Sequence, residues 1–249
     1  MTQPIDEPET RGQAAEQLVA RRLRTALPDR VVVLARVRWL LRDHGRVREG
    51  EADIVIGDPD RGILVIEVKA GEIRRGDRGR WWAGPHELPR SPFEQAADSR
   101  HTLVRKLSEL PGWPARLNPI AGQAVAFPDV ELDTMRGRLG LLGPDVDADL
   151  IADQSMFVDS EDGRRELRGF IERALAAWSG GSDTQPPGAA AIGLLVATMS
   201  EPFEIRPMLR NEIAAGEVEL VSLTTGQFGL LHTLRSIRRA AIIGGAGTG

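Results

Sequence analysis

The chain has 249 residues, 41% of them hydrophobic, which is enough for one large core or two small ones. It contains no cysteine, so disulfide frameworks, thiolate zinc sites and cysteine nucleophiles are all excluded. The net charge of −4 hides an asymmetry: residues 1–128 carry 21 basic and 18 acidic side chains, 129–185 carry 6 and 13, and 186–249 carry 5 of each, so only the first segment has the sign that suits a polyanion.

The N-terminus, Met1 to Thr10, is acidic and proline-bearing, and residues 1–10 are expected to be disordered. Apolar positions at Ala14, Leu18, Ala20, Leu23 and Leu27, ended by Pro28, predict a helix from about Arg11 to Ala26, followed by strand-like Val31 to Leu41. Two runs rich in isoleucine and valine, Ala52–Ile56 and Ile63–Lys69, flank the turn-forming Gly57-Asp-Pro-Asp-Arg-Gly62 and predict a hairpin. A second hairpin pairs Glu72-Ile-Arg74 with Arg80-Trp-Trp82. Pro92 then opens a helix to about Leu110, and Ile120 to Phe127 reads as a strand. The acidic stretch 129–162 is loop-rich with a short apolar piece at Leu150-Ile151, Arg164 to Trp178 is a helix, and Gly180 to Gly188 has linker composition. Beyond it come the apolar stretch Gly188 to Met199, too short to span a bilayer, a helix near 226–238 and a strand, Ala240 to Ile243. These features predict a cytoplasmic protein with no membrane contact.

Of the 32 basic residues 30 are arginine, so the two lysines, Lys69 and Lys106, stand out. Residues 63–66 are all large and apolar, the pattern of a central strand covered on both faces, yet the run ends in Glu67-Val-Lys69. Strand alternation puts Glu67 and Lys69 on one face and pairs Glu51 with Asp53 on one face of the preceding strand. Charges at the rim of a core cost several kcal/mol, as an order of magnitude, when unpaired, and a divalent cation held by the carboxylates offsets that cost. Oxygen ligands from two adjacent strands suit Mg²⁺, which takes one or two carboxylates and keeps water and phosphate oxygens for its remaining positions. Phosphodiester hydrolysis is the chemistry such a site supports. An ion pair on a strand edge is the plain structural alternative.

Asp53, a turn, then Glu67-x-Lys69 resembles the PD-(D/E)xK nuclease signature. More narrowly, Gly50-Glu-Ala-Asp53, Leu64-Val-Ile-Glu-Val-Lys69 and Pro92-Phe-Glu-Gln95 resemble the nuclease-related domain, NERD. The pattern departs from the signature in having Ala52, not proline, before Asp53. The resemblance implies that Asp53 and Glu67, with the Val68 carbonyl, hold Mg²⁺ or Mn²⁺. It also implies that Lys69 orients the attacking water, that Glu16 lies near the metal, and that Gln95 touches the water or the scissile phosphate. The implied fold is α/β, a restriction-endonuclease-like mixed central sheet flanked by helices, and the implied partner is nucleic acid, DNA before RNA. The alternative is a catalytically inactive nuclease-fold module that grips DNA.

Gly244, Gly245, Ala246, Gly247, Thr248 and Gly249 after a β-branched strand match the first six positions of a G-x-x-x-x-G-K-[ST] phosphate loop, whose lysine would come next. With Gln227 in Leu223-Thr-Thr-Gly-Gln227, residues 190–249 resemble the start of a superfamily 1 helicase, its Q motif followed by a truncated Walker A. That resemblance implies ATP binding in the full-length protein only, and a nuclease-helicase acting in DNA repair or processing. The domains expected are therefore a nuclease-like domain at 11–179, with core 11–128 and acidic completing segment 129–179, a linker at 180–189, and a motor fragment, α/β in class, at 190–249. Arg74, Arg75, Arg78, Arg80 and Trp81 form a basic, aromatic hairpin able to contact nucleic acid; a core tryptophan beside a solvated basic turn is the alternative. His44, His86, His101 and His232 lack metal-ligand spacing.

Overall fold

The computed structural model describes residues 8–43, 45–76, 79–114, 116–132, 146–181 and 183–199. They all fall in the first of two compact units, Met1–Glu201; the second, Pro202–Gly249, lies outside the described residues, and with it Gln227, the 226–238 helix, the 240–243 strand and the glycine loop.

The described chain runs α1 (Pro8–Ala26), β1 (Val32–Asp43), β2 (Arg46–Asp58), β3 (Gly62–Val68), β4 (Ile73–Arg75), β5 (Trp81–Ala83), β6 (His86–Leu88), α2 (Pro92–Ser108), β7 (Ala121–Phe127), β8 (Ile151–Asp153), α3 (Glu161–Ala177) and α4 (Gly188–Met199). Five strands form a mixed sheet in the order β1-β2-β3-β7-β8, in which β1, β2 and β3 are antiparallel neighbours while β7 runs parallel to both β3 and β8. The all-apolar run 63–66 is thus the central strand, buried along its whole length. A second sheet, β4-β5-β6, adds a strand, His86–Leu88, to the predicted hairpin.

Each face of the large sheet has its own core. Under α1 and α3, Val19, Leu23, Phe170 and Ile171 pack on Ile54, Ile56, Leu64 and Ile66. Under α2 and α4, Leu103, Leu107, Ile192 and Leu195 pack on Val55, Ile63 and Val65. Alternate residues of each strand therefore serve opposite faces, as strand geometry demands. The short apolar piece at 150–151 becomes β8, an edge strand pairing Ile151–Asp153 with Val125–Phe127, too short for periodicity to reveal.

The 180–189 stretch is tied down rather than free. Gln185 bridges Pro119, the Ile120 N–H donates to the Gln185 carbonyl at 2.9 Å, and the Gly188 N–H donates to Pro59 O at 3.0 Å. The unit boundary drawn at 190 falls inside α4, whose uncharged sequence buries Ala191, Ile192 and Leu195 in the core of the first unit. Composition alone could not separate a linker from a connection whose backbone groups are satisfied by a neighbouring loop. No helix among the described residues is long and apolar enough to cross a membrane.

Candidate active site

Asp53 stands where β2 parts from β3 while staying beside β1. The β2–β3 ladder begins at Ile54↔Ile66, and the β1–β2 ladder runs from Val32 to Asp43 with one gap, at Arg36, the residue that would oppose Asp53. Arg36 has φ +56, a left-handed conformation that non-glycine residues seldom adopt. At this point the alternation slips: Ala35 and Ile54 serve the core under α1, whereas Val37 and Ala52, two residues further out, serve the core under α2. The kink frees the Asp53 carboxylate from strand packing, and its Oδ2 accepts the Val68 N–H at 2.8 Å.

β3 supplies the rest. The Lys69 N–H donates to Ala126 O at 3.0 Å, extending the parallel pairing with β7 one residue past the strand, and this fixes the lysine's backbone. Its Nζ donates to Glu67 Oε1 at 2.5 Å; the Glu67 side chain is 8% exposed and that of Lys69 19%. Burial, then the facing charge of Asp53, push the Glu67 carboxyl up to about 7 despite the ammonium beside it. Burial also raises Asp53, opposed by the Val68 hydrogen bond and Lys69. Glu16 on α1 is raised by burial and by Asp53, with Arg36, 3.7 Å away, pulling the other way. Lys69 and Arg36 together supply two positive charges to three clustered carboxylates, an imbalance that favours keeping a proton on one of them.

Two clefts meet at this cluster. The larger, about 650 Å³, is walled by Glu16, Asp53, Val68 and Lys69 on one side and by the β5–β6 turn, Gly84 to His86, on the other. The smaller, about 410 Å³, holds Glu67 and Gln95 beside Asp53 and Lys69. Glu16 and Gln95 thus approach from opposite faces of the sheet, and Asp53 with Lys69 is common to both clefts. Gln95 owes its place to the start of α2, where Ser91 caps the helix, Glu94 returns a bond to the Ser91 N–H and Pro92 sits in the first turn. The Gln95 amide then donates to Arg90 O at 2.8 Å.

The donor set fits a small divalent cation. Two carboxylates, Asp53 and Glu67, and the adjacent Val68 carbonyl are hard oxygen donors, and their raised proton affinities mark a place where added positive charge is favoured. Among the described residues no group of three or more histidine or acidic side chains converges as a ready-made metal cage, so waters or substrate oxygens would complete the shell.

The basic hairpin is divided. Trp81 is 3% exposed and packs on Phe93 at 5.6 Å between ring centroids, so it is the core tryptophan of the pair. Trp82, half-buried, carries Arg74 and Arg80 over its ring at 5.0 and 5.3 Å, with Arg75 over Trp81 at 5.8 Å. Arg78 lies outside the described residues.

Sequence reasoning missed the cleft walls. Asp98, Ser99 and Thr102 share a face of α2 with Gln95 and line the smaller cleft with it, a spacing of three to four residues visible in the sequence. Arg11, which pairs with Asp129 at 3.6 Å, and His86 line the larger cleft, and no local pattern announced them. Gly50, in the Gly-Glu-Ala-Asp53 run, is explained by contact: a Cβ there would lie 2.2 Å from Trp39 Nε1. A Gly50→Val substitution is expected to displace the indole, cost about 1–3 kcal/mol by overpacking and shift Asp53 three residues away; thermal melting together with metal-dependent cleavage would check it.

No curated protein matches the chain. A crystal structure of protein VC1899 from Vibrio cholerae is similar over 66% of this chain and 34% of that one, so about a third of that protein's length is spanned, at 16% identity and a TM-score of 0.36. Residues 11–127, which hold most of α1, the strands of the site and α2, match the family model of the nuclease-related domain, NERD.

Proposed function

We propose that this domain is a metal-dependent nuclease that hydrolyses phosphodiester bonds in nucleic acid, DNA above all. The observation that carries the reading is the junction of Asp53, Glu67 and Lys69 on two diverging strands, all three lining the smaller cleft and Asp53 with Lys69 the larger one as well. Asp53 and Glu67, with the Val68 carbonyl, would hold Mg²⁺ or Mn²⁺, which when bound neutralises phosphate charge and acidifies water. Lys69, its ammonium already 2.5 Å from Glu67, orients a water and donates to the phosphate oxygen on which charge builds. Without the cation, burial and Asp53 hold the Glu67 carboxyl near 7, so metal binding near neutral pH would displace a proton from it. Arginine at position 69 would keep the charge but not the proton chemistry. Glu16 and Gln95 position water and phosphate from the two faces.

The test is cleavage of single-stranded and duplex DNA with Mn²⁺, beside a chelator and Asp53→Asn. Loss of cleavage in both, with an unchanged melting profile, is the expected result; cleavage surviving in chelator overturns the metal site. A module that grips DNA without cutting is the second reading, favoured by the absence of a three-carboxylate cage among the described residues; it requires DNA binding that is equal with and without the ion. A motor following this domain, with ATP as its ligand and a role in DNA repair, rests on the sequence of residues 223–249.

A further inference from the structure

We propose that the outer part of the β1–β2 hairpin is a duplex-binding arm that lies in a groove of the nucleic acid beside the cleavage site. This rests on the nuclease reading for its purpose but not for its test. Beyond the kink at Arg36 and Asp53, β1 and β2 continue as a two-stranded ribbon through Arg38↔Glu51, Leu40↔Glu49 and Arg42↔Val47 to Asp43↔Arg46. Of the five arginines in residues 36–51, Arg36, Arg38 and Arg48 face Glu16, Glu51 and Asp98 at 3.7, 3.1 and 3.9 Å, so the positive charge the ribbon offers comes from Arg42 and Arg46 near its tip. Leu40 and Val47 are 56% and 58% exposed and share one face of the ribbon with Arg42 and Glu49, while Arg46 stands on the other face at the tip; both arginines are exposed. An exposed arginine on each face of a ribbon tip, with apolar side chains beside one of them, suits a groove, where the phosphates on its two sides meet the charges and sugar or methyl groups meet the apolar tips; the major groove of a duplex admits a two-stranded β-ribbon.

The arm is held rigid and aimed. The Arg105 side chain of α2 donates to Arg42 O at 2.9 Å, and Ser99 Oγ donates to Glu51 O at 2.7 Å. Its root, Glu49 to Glu51, walls the same cleft as Asp53, Glu67 and Lys69. From Asp53 to Arg46 is seven residues, roughly 23 Å of strand, or about seven steps of 3.4 Å along a duplex. A second copy of the chain pairing along β1, an edge strand among the described residues, is the competing occupant. The arginines argue against it, because ribbon against ribbon sets like charges together.

The test uses the full chain and the double variant Arg42→Ala/Arg46→Ala, whose side chains lie far from the carboxylates. Duplex binding in chelator should weaken about tenfold or more, and the slope of log affinity against log salt should become less negative by about 1.8, as two lost phosphate contacts require. With Mn²⁺, wild-type cleavage should rise with flanking duplex length up to about seven base pairs and the variant should lose that dependence, while both cut a short single strand equally. Unchanged affinity and salt slope in the variant overturn the arm. A wild type that cuts nothing overturns the nuclease reading and leaves the binding result standing. Concentration-dependent dimerisation in sedimentation, lost in the variant while duplex affinity stays the same, assigns the ribbon to self-association instead.

Discussion

Glu67→Gln is expected to abolish metal-dependent cleavage and, at the same time, to make the metal-free protein more stable at pH 8. The two effects share one cause. The folded chain holds a proton on Glu67 up to about pH 7, whereas the unfolded chain releases it near the ordinary value of 4.5. Between those values the folded state binds more protons, so raising the pH costs stability. Stability contributed by the protonated carboxyl is complete below about 4.5 and gone above about 7. Glutamine removes the buried charge but keeps the shape, and the gain at pH 8 should be on the order of 1–3 kcal/mol, shrinking towards zero near pH 4. Melting curves of both proteins across pH 4 to 8 would check this; a variant less stable at pH 8 would mean that the Lys69 pair outweighs burial. Adding Mn²⁺ should raise the wild-type melting temperature, more so at pH 8 than at pH 5.5 where the cation must displace a proton, and should leave the variant unmoved.

Lys69→Met should lower cleavage by about a hundred- to a thousand-fold, the usual loss when a donor to a developing oxyanion is removed. It should also move the pH–rate profile to higher pH. The ammonium is what holds the Glu67 carboxyl down to about 7 against burial and Asp53, so without it the proton is bound more tightly and the ionised, metal-binding form is reached only in more alkaline solution. Lys69→Arg separates the two roles: the charge returns and the profile should shift back, but the rate should stay low because guanidinium is a poor proton carrier and cannot reproduce a compact point charge. A rate profile fixed in pH across all three proteins would exclude any coupling between Lys69 and the metal ligands.

What the sequence disclosed and what it withheld divide along physical lines. The apolar run 63–66, closed by charges, marked a central strand, because covering both faces of a strand requires that composition. α2 was legible through Pro92, which favours the first turn of a helix, whereas the capping box of Ser91 and Glu94 that completes the start emerged with the structure. The kink at Arg36 was not legible, since an arginine carries no signal for a positive φ imposed by two cores pulling on either side of it. Nor was the division of labour between Trp81 and Trp82, which depends on Phe93 arriving from α2. α4 misled for the same reason: an uncharged helix after a glycine-rich stretch gives no hint of which sheet face it will cover. Strand alternation placed Glu67 beside Lys69, and the family resemblance singled out Asp53 and Glu16, but the raised proton affinities of these carboxylates come from burial under elements far away in sequence.

The hairpin that carries Asp53, Glu67 and Lys69 closes over a short loop, 59 to 61, whereas the pairing of Lys69 with Ala126 requires β7 to arrive by a crossover through α2. Local closure is fast and crossover pairing slow. In kinetic terms the three charges meet early, while still hydrated, and are dried only when the helices close over the sheet. Their mutual repulsion therefore grows late along the folding coordinate, so neutralising Glu67 should slow unfolding far more than it speeds folding, and the bound cation would act as a clasp on the finished structure.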